Sequence, residues 1–585
     1  PSRASFYSLV WQDWAAAKLR EFCHALAQTP EGDAVFGLQI ANGVYGEWHQ
    51  FGFIHHDPDT GPAANSAFRS WLKSHYGTEA ALALAWHDPD ATFARATAPD
   101  SPARETAAIG VLRDPMTQQS VIDYFTFLHE ELTCVVINLA ATTKAAWPRP
   151  LVTAAFFGYF YGIFGRQGAG AQLAIEAALH TPHLDCFCSP QSYETVSRQF
   201  GGSGNARGII GVVRRAGKLW LDEMDSPTST SGCPWLDDFK STPADDLALH
   251  RRNVLQPITR GGGQWWYDFG PVGSTPAFAR VGNIGWWDTP ELLADVAALQ
   301  SLVNARTTKP FLRPADILLV HDPRSFFHTM SARHQPAKFG VLPPSPGDPF
   351  TPLLTDDLLA SLYQCGSVFD EAILSELDTL DLTPYRLVIF ATTPVITSAQ
   401  RQVISDRVAT AGRHLVFLGY AGWGDASRID PALAFSLTGI PTSADYITPP
   451  SSHVQIGNVS ESLTLARSLT VPAFSPTCPD CEVIGTWSNG RPSAVRRTSD
   501  QATWWTFALP PTSSSILQAL AHAAGCHAVN DQAETTLVGD ELIVVHTVSG
   551  GMRTLHWAGA DPFTAELPPR STTVFDGPTG RRLLG

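Results

Sequence analysis

Two glutamates stand where apolar runs end. Glu47 closes Gly37-Leu38-Gln39-Ile40-Ala41-Asn42-Gly43-Val44-Tyr45-Gly46-Glu47-Trp48, between a glycine and a tryptophan, and Glu223 lies in Leu219-Trp220-Leu221-Asp222-Glu223-Met224-Asp225. Taking a carboxylate out of water is costly, so one at the end of a buried strand is either solvated by its loop or placed there for chemistry. Parallel barrels build active sites at such ends, from several strands at once. Two carboxylates facing each other across about 5 Å form the pair of a retaining glycosidase, one a nucleophile, the other a general acid and then a base. Taken singly, Glu47 is a solvated loop charge and Glu223 part of an acidic loop. Taken together they point to chemistry, with Glu223 as nucleophile and Glu47 as acid/base, its proton affinity raised by the desolvating Trp48.

Other strand ends supply candidates for holding a sugar. Ser189-Pro190-Gln191-Ser192-Tyr193 ends in a phenol placed to hydrogen-bond Glu223 and keep it ionised. Trp265 and Trp266 end another run, one indole packing inward and one forming a platform, and Trp286-Trp287 add a wall. Each is more often core or rim when met alone, but four aromatic-rich strand ends together favour a pocket. His55-His56-Asp57 resembles a metal cluster, yet consecutive residues do not easily share one ion, and it reads as a solvated loop. His183, Asp185, Cys186 and Cys188 lie on or beside one strand, where alternation separates neighbours onto opposite faces, so buried core thiols are the simpler reading. Cys478-Pro479-Asp480-Cys481 has redox or half-zinc spacing without a second pair at zinc-finger distance. No metal or cofactor is expected.

The elements that must position these residues follow from the hydrophobic pattern. Between residues 1 and 305, short apolar runs alternate with longer helical patterns, the rhythm of βα units around a parallel sheet. The expected strands are Ala34 to Ile40, Leu151 to Tyr159, Leu184 to Ser189, Lys218 to Leu221 and Gln264 to Asp268, with helices over Ser66 to Tyr76, Gln118 to Thr143 and Pro243 to Asn253. Residues 306–529 read as a second, doubly wound α/β region on the apolar runs Ile317 to Val320, Leu387 to Phe390 and Leu415 to Leu418. After Val320 comes His321-Asp322-Pro323-Arg324 rather than a phosphate-cradling loop, which argues against a flavin or nucleotide. Residues 530–585, with Glu541 to His546 and Thr554 to Trp557, read as a small antiparallel β domain.

Composition narrows the partners. Forty basic against 55 acidic residues give a net charge of -15 over 585 residues, and no Lys/Arg run tracks a phosphate backbone, so nucleic acid and anionic membrane are excluded. The most apolar stretch, Leu151 to Gly165, is too short and polar to span a bilayer. Nine cysteines at this length do not form a disulfide scaffold. The chain opens on Pro1 rather than a methionine, which suggests processing and a secreted protein.

On these residues the chain resembles glycoside hydrolase family 42, the β-galactosidase-like barrel enzymes, or a near relative. Gly37-Leu38-Gln39-Ile40, Phe68-Arg69-Ser70-Trp71-Leu72-Lys73-Ser74-His75-Tyr76-Gly77 and Ala83-Leu84-Ala85-Trp86 are similar to the strand and helices around that family's acid/base. The resemblance implies an α/β fold of (β/α)8 barrel, flavodoxin-like trimerisation domain and small C-terminal β domain. It also implies retaining hydrolysis of a terminal β-linked hexose, Glu223 as nucleophile and a homotrimer. The family places Asn and Glu consecutively, whereas here Asn42 is followed by Gly43 and the glutamate comes at Glu47; Gly43 and Gly46 would allow a rebuilt turn that brings Glu47 to the same point beside Asn42. A full barrel takes about 250 residues, yet fewer than 40 precede the strand that should be fourth. The first three strands are then expected from a companion polypeptide. The rival reading is a carbohydrate-binding or assembly subunit that lost one catalytic group, and within the enzyme class a β-mannosidase stays open.

Overall fold

The computed structural model describes residues 4–53, 59–230, 241–268, 285–330, 348–465, 468–475, 477–478 and 480–585. Its first sheet is built from β1 (Gly37–Ile40), β2 (Val152–Phe156), β3 (Cys186–Pro190), β4 (Leu219–Met224) and β5 (Gly263–Trp266), all parallel and in sequence order. All five expected strands are present, with ends shifted by a few residues.

Strand register sorts the side chains onto two faces. One face carries Val152, Ala154 and Phe156 from β2, Cys186 and Cys188 from β3, Leu219, Leu221 and Glu223 from β4, and Trp265 from β5. Phe156 and Trp265 meet on this side with ring centroids 5.8 Å apart, although β2 and β5 are three strands removed. Flat strands would hold them about 14 Å apart, so the sheet curls toward this face as a barrel wall does. The other face buries Thr153, Ala155, Trp220, Asp222 and Met224 under the helices Pro115–Ala146, Ile210–Arg215 and Pro243–Ile258.

Capping explains where two of those helices start. Ile210–Arg215 has neither a side-chain cap nor a first-turn proline, whereas Asp114 accepts the Met116 N–H, Thr242 and Asp245 form a capping box, and these two helices have proline in their first turn. Pro290–Asn304 begins the same way, with Thr289 accepting from Leu292. Among the described residues neither β1 nor β5 has a neighbour on its outer edge. Val152 and Leu219 are 42% and 43% exposed on the inner face.

The second sheet joins β6 (Ile317–His321), β7 (Phe369–Ile373), β8 (Leu387–Phe390) and β9 (Arg413–Leu418) in the parallel order β9-β8-β6-β7. Beyond β9 it continues through a parallel strand, Ala502–Phe507, into antiparallel strands drawn from residues 451–498. This extension was absent from the sequence expectation. Residues 535–584 form a four-stranded antiparallel sheet and a separate hairpin, Gly551–Leu555 with Phe563–Leu567. Cys478 and Cys481 are joined as a disulfide, which replaces the half-zinc reading. Cys186 and Cys188 are buried as expected, but being two residues apart they share a face, with sulfurs 3.8 Å apart. One apolar core runs from Phe6 in the first region to Val574 in the last.

Candidate active site

The loops after β1 to β4 converge at the C-terminal end of the first sheet. Glu47 arrives there by a turn in which Gly43 and Gly46 hold φ of 82° and 85°, the left-handed region that glycine enters freely. The Trp48 N–H donates to the Asn42 carbonyl at 2.7 Å and the Val44 N–H to His49 at 3.2 Å, closing the loop on itself. A Cβ on Gly43 would lie 2.7 Å from the His49 carbonyl oxygen. Asn42 accepts the Gly43 N–H at 2.7 Å, so its amide helps to set this turn.

The Glu47 carboxylate is held by His49 of its own loop and by groups from two other segments. Tyr159, just beyond β2, donates to its Oε2 at 2.9 Å, His49 Nε2 stands 3.4 Å away, and Arg207 Nη1 stands 3.8 Å away. Burial pushes its pKa up, but His49, Arg207 and Tyr159 outweigh it and hold Glu47 below the usual carboxylate range. Sequence reasoning expected the opposite sign, from desolvation by Trp48. Trp48 is instead a core residue, 1% exposed, with its indole N–H on the Ile40 carbonyl and its ring 5.7 Å from Phe6. It neither touches a sugar nor governs Glu47.

Glu223 lies near the end of β4 on the inner face and accepts no hydrogen bond from a described residue. Burial, then Asp225, Glu47 and Asp222, push its pKa up to about 8. Tyr193 does not restrain it as expected: the Tyr193 hydroxyl donates to Asp225, which Arg198 also holds at 2.9 Å. Asp225 lies just past the end of β4, where its N–H turns back onto the Glu223 carbonyl at 3.1 Å, and this is the carboxylate that the phenol meets. The Tyr193 ring is stacked between two guanidinium groups, Arg198 at 3.9 Å and Arg207 at 4.0 Å from its centroid.

The remaining tryptophans divide by strand parity. Trp265, paired with Glu223 in register, faces the mouth and is partly exposed. Trp266 faces the helices, where its indole donates to His250 at 2.9 Å. Trp287 is 5% exposed and donates to the Tyr267 carbonyl, and Trp286 is equally buried, so the expected wall of the pocket is core. His55-His56-Asp57 falls outside the described residues. Among the described residues no group of three or more His, Cys, Asp or Glu could hold a metal ion.

Sequence reasoning missed Tyr159, His49, Arg207, Arg198 and Asp225. Asp225 follows the end of an expected strand, and Tyr159 closes another. Arg207, in a glycine-rich loop with no periodicity, carries no local signal.

No family model matches the chain, and no curated protein matches it in sequence. Solved structures do. The β-galactosidase of Bacillus circulans sp. alkalophilus matches with a TM-score of 0.66 at 14% identity, over 98% of this chain and 83% of its own. A cold-adapted β-galactosidase from Rahnella sp. R3 gives 0.68 at 16% identity, over 98% and 82%. Gan42B, a GH42 β-galactosidase, gives 0.67 at 13% identity, over 98% and 81%. The chain therefore has the fold of the GH42 β-galactosidases along nearly its whole length.

Proposed function

We propose that this chain carries the catalytic face of a retaining β-glycosidase that releases a terminal β-linked hexose by double displacement. The supporting observation is the contrast between two carboxyl groups at one strand-end mouth. Glu47 is ionised and held by donors, whereas Glu223 has no donor among the described residues and favours its proton. Environments that split two carboxyls in this way create an acid and an anion from the same side-chain chemistry.

The different surroundings of the two carboxyls favour, in this reading, roles opposite to those expected from strand position. Glu223 protonates the glycosidic oxygen as that bond to the anomeric carbon breaks, and Glu47 attacks the anomeric carbon to give a glycosyl-enzyme ester. Glu223, now a carboxylate, takes a proton from water, whose oxygen displaces Glu47 and returns the retained hexose. Trp265 offers the sugar an apolar platform.

Azide rescue with an activated aryl β-glycoside separates the readings. Glu47→Ala should give the α-glycosyl azide, because azide enters where the nucleophile is missing, and Glu223→Ala the β-glycosyl azide. Interchanged products would restore the strand-position roles. An inactive wild type whose variants give neither azide would leave the carbohydrate-binding subunit.

We further propose that the exposed inner face, with Val152 and Leu219 and the free edges of β1 and β5, is covered by three more βα units. Another polypeptide or a further stretch of this one would supply them, in an assembly taken to be a trimer on the resemblance alone. Intact-mass and native-mass spectra of the purified protein read both points.

A further inference from the structure

Arg207 belongs to no expected motif, yet it touches more of the mouth than any residue named from the sequence. It is 3% exposed. Its Nε donates to the Gln191 carbonyl at 3.3 Å, its Nη1 stands 3.8 Å from Glu47 Oε2, and its plane lies 4.0 Å from the Tyr193 ring centroid. A guanidinium is planar, always charged and well suited to stacking on an aromatic face. Tyr193 in turn is fixed from its other face by Arg198 and at its hydroxyl by Asp225. Arg198 closes the circuit on Asp225 at 2.9 Å. The clamp therefore runs from the end of β4 to the loop after β1, the two places that carry the proposed acid and nucleophile.

We propose that Arg207 is a positioning residue, stacked on Tyr193, that together with His49 keeps Glu47 the ionised one of the two mouth carboxyls. The proposal rests on the glycosidase reading only for its consequence in turnover; the placement of the proton stands by itself. The groups facing Glu47 are Tyr45, His49, Tyr159, Tyr193 and Arg207, with Asp225 and Glu223 across the mouth. Those facing Glu223 are Asp222, Asp225, Cys188 and Tyr267, with Glu47 and Arg207 beyond. Arg207 is the cation that both carboxyls share. Asp225 raises Glu223 and is itself tied to the clamp.

The signs follow from Coulomb attraction. Losing Arg207 removes a cation from both carboxyls, so both should titrate higher, Glu47 more because it is the nearer. Losing the Asp225 charge removes an anion, so Glu223 should titrate lower while Glu47 does not rise. The test is carboxyl titration of the full chain by carbon NMR of labelled glutamate, with Glu47→Gln and Glu223→Gln assigning the two signals. Arg207→Met should raise the Glu47 midpoint by about one to three pH units, the range a neighbouring arginine commands. Arg207→Lys, which keeps the charge but loses the stacked plane, should recover part of it. Asp225→Asn should lower the Glu223 midpoint.

An unchanged Glu47 midpoint in Arg207→Met, in protein whose thermal transition stays cooperative, overturns the proposal. If Arg207→Met does not fold, an unchanged Glu47 midpoint in Arg207→Gln overturns it instead. The titration needs no substrate. Midpoints that shift as expected in a protein without turnover would support the clamp while removing the glycosidase reading.

Discussion

The two parallel sheets treat the polar groups at their C-terminal ends in opposite ways. At the end of β6, His321 is spent on structure: Nε2 lies 2.8 Å from the Tyr161 hydroxyl and Nδ1 3.0 Å from Thr392. Asp322 beside it caps the turn Pro323–His328, accepting from Arg324 N–H and Ser325 Oγ. On β7, Glu371 accepts the Tyr161 hydroxyl at 2.8 Å and pairs with Arg260. Each has its partners, and His321 and Glu371 are almost wholly enclosed. At the end of β4, Glu223 has no donor among the described residues and keeps part of its surface open. A carboxyl that the fold has both satisfied and enclosed, as it has Glu371, has nothing left to offer a ligand, whereas Glu223 and the held but partly exposed Glu47 still face an open mouth. That distinction, more than residue type, separates the working end of one sheet from the structural end of the other.

The comparison can be broken by exchanging the consequences. Glu47→Gln and Glu223→Gln should each lower kcat by about 10²-fold to 10⁴-fold or more, with unfolding midpoints close to wild type; steady-state kinetics beside a urea melt would check both halves. Glu371→Gln should do the reverse. Leaving Arg260 as a buried cation without its partner should cost about 3–5 kcal/mol of unfolding free energy, while the folded fraction keeps its kcat. A Glu371 variant that is stable but inactive would mean that the second sheet takes part in the chemistry.

Smaller effects sharpen the picture of the mouth. Gly43→Ala should cost about 1–3 kcal/mol, the range for a residue held in unfavourable backbone geometry, and should damage kcat by displacing Glu47. Gly46→Ala should be milder, since its Cβ would meet only Ala41 at 3.4 Å; the two variants compared by melt and kinetics would show whether the turn is built around Gly43. Finally, the pH profile of kcat/KM should fall on its basic side near pH 8, as Glu223 loses the proton it must donate. On its acidic side it should fall only below the usual carboxylate range, as Glu47 gains one. A basic limb that stays at pH 8 in Glu223→Gln would assign it to another group.

Much of the first sheet was legible because short apolar runs bounded by glycine and polar residues have few alternatives to a buried parallel strand. The placement of Glu47 and Glu223 at strand ends followed from those runs. What sits beside them did not, because it depends on which face a side chain takes and on loops distant in sequence. Trp48 and Trp287 are as aromatic as Trp265, but only strand register and loop closure turn Trp265 outward and bury the other two. Tyr193 was expected on Glu223 and reached Asp225, just past the end of the strand. The antiparallel extension was missed although Val459–Thr464 alternates half-buried and exposed residues along its whole length; short polar alternation of that kind also fits a solvated loop.

Tyr159 and Tyr161 stand two residues apart in the loop that follows β2, one with its hydroxyl on Glu47 and the other with its hydroxyl on His321 and Glu371. That single loop is a strut between the two regions, footed in the second sheet and holding Glu47 at its other end. The two regions are consequently one unit of inheritance and of engineering. A graft that moved the first sheet alone to a new partner would carry Glu47 with it but leave behind the footing that aims Tyr159, and a shuffled second sheet would retune the mouth without altering any residue in it.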